Sequence, residues 1–258
     1  MAFFIGNSFC RLCQMNEEDL KNELIFCSNG LRTKGLLPPI KSIHSTRLPN
    51  SKRIWTPIPL RDDLIKEMKT NYDVNYFDLD NLESNNINKS INEQCSIHEL
   101  RLHSELYKLR PDVNAICHTN SPFTISSFKN GTLENVHGEA KLILGDIPVV
   151  RLNEDLFNYH KSEKFWEEMI KLVSRSCIGE PLRPIRIIIL IQHGVISLGA
   201  CLHEARAFVE ILEEWARFNV YAKIIARGDQ IRTLTLEQLR SLGGRYARSI
   251  KFSGRCSL

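Results

Sequence analysis

The distribution of apolar residues divides much of the chain into runs typical of buried strands and amphipathic stretches typical of helices. Val113–His118 and Ile185–Ile191 are largely apolar, and the second is rich in β-branched residues, so both predict buried strands. Glu163–Ser176 and Leu202–Ile225 repeat apolar residues at helical spacing, which predicts two amphipathic helices. Because strands alternate with helices, the pattern favours a layered α/β or α+β domain.

Shorter patterns lie between these elements. Pro122–Phe128 has the spacing of a short helix, and Ile147–Leu152 that of a short strand. His193-Gly194 follows the apolar strand at Ile185–Ile191. We predict that this polar pair interrupts the strand and that Val195–Leu198 continues it.

A helix is predicted immediately before the strand at Val113–His118. The four residues from Ser96 to Glu99 have the S-x-x-E form of a capping box, in which the glutamate bonds back to the start of the helix. Apolar residues follow at helical spacing as far as Leu109. Pro111 ends the helix, because the residue before a proline avoids helical backbone angles.

The first ninety residues carry weaker patterns. Arg61–Lys69 predicts a short helix. Residues 71–94 are rich in asparagine, so we predict a surface loop or insertion there. Residues 1–258 are interpreted as a single domain, since the length suits one large core.

Composition narrows the possible functions. Hydrophobic residues make up 43% and charged residues 25%, as in folded globular proteins. The net charge of +4 is spread along the chain, and no basic block predicts a nucleic-acid arm or a polybasic membrane anchor. The apolar N-terminus lacks the basic flank and cleavage site of a signal peptide. We therefore expect a cytoplasmic protein without nucleic-acid or membrane partners.

Polar residues that end the predicted strands are candidates for chemistry. Residues two apart on a strand point to the same face, so His118 and Asn120 can face one pocket. His193 follows a very apolar strand and must find a partner if it is buried. Both histidines could instead be structural residues with hydrogen bonds in the core. Glu99 could likewise be the capping carboxylate or lie beside a cation at a helix N-terminus.

Several blocks, taken in order, resemble the class II aldolase and adducin family. They cover roughly residues 95 to 225, with the family's order and spacing intact. The matching blocks are His98–His103, Arg110–Ala115, His118–Pro122, Gly138–Ala140, Ile147–Val150 and Leu190–Val195.

The resemblance implies a fold, a chemistry and an assembly. The fold would be a three-layer α/β/α domain with a central, mostly antiparallel sheet. His118 and His193 would bind Zn²⁺ or another divalent cation such as Mn²⁺, and Glu99 would bind the metal and move protons. Such lyases cleave a small carbonyl or hydroxy-carbonyl substrate through a metal-stabilised enolate. The family also implies a homo-oligomer, commonly a tetramer. Adducins share the fold without catalysis, so an inactive scaffold is the alternative.

The chain departs from the family pattern at several positions. Asn120 replaces a histidine, and an amide oxygen binds zinc more weakly than imidazole does. His98 replaces a serine that helps to hold phosphate, and Trp55–Leu60 lacks the Ser-Gly of a phosphate-binding turn. We keep His98 and Thr56 as candidate substrate-binding residues, and Asn120 as a candidate metal ligand.

Other histidines offer a replacement for the missing ligand. Either His98 or His137 could supply it, although each could equally be a solvated loop histidine. His44, His160 and His203 are predicted to lie on the surface.

Overall fold

The computed structural model describes residues 15–37, 44–59, 72–80, 95–128, 133–151, 161–174, 185–191 and 193–249. The helices in these stretches are α1 (Glu17–Thr33), α2 (Cys95–Leu109), α3 (Pro122–Phe128), α4 (Gly138–Leu144), α5 (Glu163–Ser174), α6 (Leu202–Ala226) and α7 (Leu236–Ser249). The strands are β1 (His44–Thr46), β2 (Arg53–Pro59), β3 (Tyr72–Asp78), β4 (Ala115–Thr119), β5 (Val149–Val150), β6 (Ile187–Leu190) and β7 (Gly194–Gly199). The helices predicted from periodicity, α3, α5 and α6, are confirmed within two residues at each end.

The seven strands form one sheet in the order β3-β2-β1-β4-β7-β6-β5. Every neighbouring pair is antiparallel except β5 and β6, which are parallel. The expected central, mostly antiparallel sheet is therefore confirmed. β4 lies in the middle, where hydrogen bonds on both sides hold it.

Helices cover both faces of this sheet. One face packs against α2 and α5 through a core that includes Leu102, Leu106 and Met169. The other face packs against α1 and α6, for example through Leu24 and Leu212. The predicted three-layer α/β/α architecture is confirmed.

β4 is apolar on both faces because both faces are covered. Ile116 contributes to the core beneath α2, whereas Ala115 and Cys117 contribute to the core beneath α1. Since side chains alternate along a strand, His118 lies on the same face as Ile116. The strand thus directs His118 toward α2.

The prediction that Val195–Leu198 continues the preceding strand is wrong. The chain reverses between Leu190 and Gly194, and β7 pairs antiparallel with β6. Apolar periodicity is identical for one interrupted strand and for a hairpin of two strands, so it could not separate them. The reversal places His193 in the turn at the end of the sheet.

The loop predicted for residues 71–94 is also wrong in part. Tyr72–Asp78 forms β3 and pairs with β2 along its whole length. Phe77 is fully buried whereas Tyr76 is exposed, which is the alternation of a strand covered on one face. The asparagines concealed this alternation in the sequence. Residues 81–94 and the helix predicted at Arg61–Lys69 lie outside the described residues.

Among the described residues, no helix is both long enough and apolar enough to cross a membrane.

Candidate metal centre

Glu99, His118 and His193 converge on one point in space. Glu99 Oε2 lies 2.7 Å from His118 Nδ1, and Glu99 Oε1 lies 3.0 Å from His193 Nε2. One potential ligand atom from each side chain lies within 4.8 Å of the others. Among the described residues, this is the one group of three or more acidic, histidine or cysteine side chains close enough to share an ion.

Strand pairing brings these residues together. β4 and β7 are neighbours, and Thr119 at the end of β4 faces Val195 at the start of β7. His118 directly precedes Thr119, and His193 lies two residues before Val195. The ring centroids of the two histidines are 5.1 Å apart. Glu99 then reaches both rings from α2, which packs over this face of the sheet.

The capping-box alternative for Glu99 is wrong. α2 begins at Cys95, so Glu99 lies beyond the third helical position that a capping carboxylate occupies. Its carboxylate contacts the two histidines, one with each oxygen. The side chain is therefore part of the centre.

Exposure decreases from one side of the centre to the other. The side chain of His193 is 19% exposed, that of Glu99 12%, and that of His118 3%. Solvent therefore reaches the centre from the side of His193, and His118 lies at its buried end. Partial withdrawal from water strengthens every electrostatic interaction within it.

Electrostatics keep the Glu99 carboxylate ionised. Burial alone would raise its pKa, but the charges of His118 and His193, which contact both carboxylate oxygens, overcome this effect and hold the pKa well below its ordinary value. An ionised carboxylate beside two imidazoles is a donor set that divalent cations use in proteins.

The geometry around His118 tests whether the residues fit a cation. His118 Nδ1 is buried and has no hydrogen bond of normal geometry among the described residues, although Glu99 Oε2 is 2.7 Å away. Two imidazole nitrogens and a carboxylate oxygen match the His₂Glu set of open zinc sites. The residues therefore fit a divalent cation.

Gly194 provides the space that this centre needs. A Cβ atom at this position would lie 2.7 Å from the Thr119 carbonyl oxygen, 2.9 Å from His118 Nε2 and 3.0 Å from Asn120 Oδ1. Asn120 thus lies beside the Nε2 edge of the His118 ring, while Glu99 approaches the Nδ1 edge. Coordination by Asn120 stays a prediction.

We expect Gly194→Ala to weaken cation binding about 10- to 100-fold, because the added methyl group must displace the His118 ring or the β4 backbone. Titration of the variant with Zn²⁺ against a competing chelator measures the loss. Gly35→Ala is the control: a Cβ there has no neighbour within 4 Å, although its positive φ adds strain. Equal affinity in wild type and Gly194→Ala contradicts the steric argument.

The remaining predicted residues lie elsewhere or outside the described side chains. His98 is within α2, but its side chain is not among those described. Thr56 is buried, and its hydroxyl group donates to the His44 carbonyl oxygen at 3.0 Å. Substrate binding by His98 and Thr56 stays a prediction.

His137 does not supply the missing ligand. Its Nδ1 accepts a hydrogen bond from the Ala140 backbone N–H at 3.3 Å and caps the start of α4. Its ring stacks on Phe218 with centroids 5.2 Å apart. The alternative that His137 replaces the lost family histidine is therefore wrong.

Two buried histidines were not recognised in the sequence. His44, predicted to lie on the surface, is fully enclosed and contacts the Ser28 hydroxyl. His103 is fully enclosed behind the centre and contacts the Ser45 hydroxyl. Burial lowers the pKa of His44 to about 4 and is the main cause that lowers the pKa of His103 to about 3. His103 could have been found from its position four residues after Glu99 on the same predicted helix.

The buried His44 predicts that acid destabilises the fold. Below about pH 6.5 the unfolded chain binds a proton at this residue, but the folded chain does so only near pH 4. The stability is therefore fully present above pH 6.5 and falls as the pH decreases toward 4, by on the order of 3 kcal/mol. Urea unfolding at several pH values measures the slope, which His44→Gln should reduce. The same slope in the variant contradicts the assignment.

The sequence of this chain matches a known protein family. The family described as Class II Aldolase and Adducin N-terminal domain matches residues 27–220. An L-fuculose phosphate aldolase of Methanococcus vannielii is 34% identical over 122 residues, which are 47% of this chain and 59% of that protein. Human beta-adducin is 26% identical over 155 residues, which are 59% of this chain and 19% of that protein.

A solved structure supports the fold. The aldolase II superfamily protein of Pseudomonas syringae superposes with a TM-score of 0.66 and 16% identity, covering 89% of this chain and 84% of that one. The chain matches less than two thirds of the length of the aldolase and the adducin named above. The family match covers most of the chain and includes all three residues of the centre, and the protein belongs to the class II aldolase and adducin family.

Proposed function

We propose that this protein is a divalent-cation-dependent lyase of the aldolase type, which acts on a small carbonyl or hydroxy-carbonyl compound. The observation that carries the proposal is the convergence of Glu99, His118 and His193 within 4.8 Å. The 34% identity to an L-fuculose phosphate aldolase supports this reaction class. A phosphate group on the substrate is not part of the proposal, because the phosphate-binding turn of the family is degraded at Trp55–Leu60.

Glu99, His118 and His193 would hold the cation. When bound, a divalent cation acts as a Lewis acid toward a carbonyl oxygen. The His118 ring is enclosed and the Glu99 carboxylate is mostly buried, so both hold their positions while substrate enters from the side of His193. The protein thereby supplies a fixed, largely dry set of donors.

Glu99 is the proposed general acid and base. In the proposed reaction its carboxylate takes the proton from the substrate hydroxyl group as the adjacent carbon–carbon bond breaks. The electron pair of that bond passes to the carbon next to the carbonyl group. The proton held on Glu99 is then returned to this carbon, which restores the carboxylate and balances the reaction.

Zinc is the proposed cation, since two imidazoles and a carboxylate are typical zinc ligands. Mn²⁺ is the alternative, because the Asn120 oxygen beside His118 suits a harder ion. We also propose a cytoplasmic homo-oligomer, by analogy with the tetramers of the family. The exposed side chains of Ile224 and Ile225 on α6 support assembly, because clustered apolar residues at a surface favour association.

A scaffold function is the second candidate. Human beta-adducin matches 59% of this chain, and Asn120 replaces a family metal ligand. An adducin-like assembly role would need neither a bound cation nor an ionised base. The convergence of Glu99 with two histidines favours the enzyme, since these three groups form the donor set of an open divalent-cation site.

Protein purified without chelator tests the proposal. We expect about one divalent ion per chain and a rise in Tm when Zn²⁺, Mn²⁺ or Co²⁺ is added to chelated protein. A screen of aldehydes, keto acids and sugar phosphates should then show turnover that chelator abolishes and metal restores. Glu99→Gln serves as the inactive control. Cation binding without turnover on any of these classes favours the scaffold, and the absence of cation binding excludes the proposed lyase.

A further inference from the structure

We propose that His103 is a positioning residue of the cation site, which keeps Glu99 and His118 in register with each other. This inference rests on the proposed cation site. His103 lies on α2 four residues after Glu99, so the two side chains share one face of the helix. Its ring centroid lies 6.4 Å from that of His118, with the planes tilted by 37°.

His103 is anchored to the sheet that carries His118. Its Nδ1 lies 2.7 Å from Ser45 Oγ, which in turn lies 3.0 Å from the Tyr107 hydroxyl group. Ser45 pairs with Ile116 across the β1–β4 ladder, two residues before His118. The contact therefore ties α2 to the strands at the base of the cation site.

The anchor acts on the distance that matters most. Glu99 is carried by α2 and His118 by β4, and their side chains are 2.7 Å apart. A shift of α2 along the sheet by a fraction of an ångström would change this separation. His103 belongs to α2 and contacts Ser45 of the sheet close to these two groups, so it limits that shift.

Packing alone does not explain a histidine at position 103. His103 Nε2 is fully buried and has no hydrogen-bond partner among the described residues. A buried polar atom without a partner costs on the order of 1–3 kcal/mol, so an apolar ring would suit a purely structural position better. The imidazole nevertheless provides the Nδ1 bond to Ser45.

His44 provides a matched control within the same fold. It too is a fully buried imidazole beside a serine hydroxyl, that of Ser28. It contacts α1 on the opposite face of the sheet from His103, since adjacent residues His44 and Ser45 on β1 point to opposite faces. If these histidines served stability alone, replacing either one would have the same consequence for the cation site.

The test compares Co²⁺ binding by wild type, His103→Phe, His103→Asn and His44→Phe. The visible absorption of bound Co²⁺ reports ligand geometry, and its titration reports affinity. We expect His103→Phe to lower Co²⁺ affinity about 10- to 100-fold and to alter the spectrum. His103→Asn keeps a polar group near Ser45 and should recover most of the affinity. His44→Phe should reduce stability but leave affinity and spectrum unchanged.

The outcomes separate the two proposals. Wild type that binds no Co²⁺ overturns the proposed cation site and this inference together. Wild type that binds Co²⁺, with His103→Phe equal to it in affinity and spectrum, overturns the positioning role and leaves the proposed site intact. If His103→Phe does not fold, Ser45→Ala takes its place: it removes the hydroxyl group that His103 and Tyr107 contact and leaves both rings intact. Unchanged Co²⁺ affinity in that variant overturns the positioning role.

Discussion

Replacing either His118 or His193 by alanine is expected to lower the affinity for Zn²⁺ at least about 100-fold. Each ring supplies one nitrogen of the three-residue centre, and loss of even an outer supporting group in metal sites costs 10- to 100-fold. The two variants should lose comparable affinity, because removing either one leaves the same pair of donor types. Competition with a chromophoric chelator measures the dissociation constants.

His137→Ala is the matched control for these variants. This histidine caps α4 and stacks on Phe218, outside the cluster, so we expect its loss to reduce stability without changing the Zn²⁺ affinity. Retention of wild-type affinity in both His118→Ala and His193→Ala would show that the three side chains do not share a cation. Loss of affinity in one variant alone would show that the other histidine is not a ligand.

Arg47→Met is expected to destabilise the fold by roughly 3–5 kcal/mol. The guanidinium group is buried and donates to a set of backbone carbonyl oxygens around the end of α2, those of Tyr107, Arg110, Pro111 and Val113. Methionine keeps the apolar stem but leaves these oxygens without their donor. It also removes a positive charge from the negative end of the α2 dipole. Urea unfolding measures the change in the free energy of unfolding.

Arg53→Met is the control: it removes an exposed arginine, so it shows how much stability is lost when the arginine is not buried. Arg47 stacks on Tyr107, and Arg53 likewise stacks on Tyr76 and forms an ion pair with Glu17 at 2.6 Å, but Arg53 is exposed. Exposed pairs contribute little, so we expect a loss below about 1 kcal/mol. Similar losses in the Arg47 and Arg53 variants would contradict the view that the bonds to the carbonyl oxygens hold the end of α2.

Errors in the sequence prediction occurred where a local pattern had two solutions. The S-x-x-E pattern at Ser96 suits both a capping box and a carboxylate directed at another element, and only the packing of α2 on the sheet selected the second. The apolar residues on either side of His193 suit one interrupted strand as well as a hairpin. In β3, edge pairing with β2 supplied backbone hydrogen bonds that stabilise a segment with weak strand propensity.

The burial of two histidines was also beyond prediction from a local sequence pattern. His44 is predicted to lie on the surface, and no prediction places His103 in the core. A serine partner and the loss of their charge nevertheless make both compatible with the core. The sequence contains no local signal for such a partner, because Ser28 and Ser45 lie on different elements. Only the layered packing shows that these side chains meet.

The sequence by itself predicted α2, α3, α5 and α6, the apolar strands, the family and the identity of the three chemical groups, since each depends on residue types at short spacing. Tertiary structure alone decided that Glu99 reaches across 94 residues to His193 and that His103 lies beneath the site. It also decided that His137 caps α4, away from the centre. The physical reason is that hydrogen-bonded strand order and helix packing set long-range distances. Neither leaves a mark on the spacing of residues along the chain.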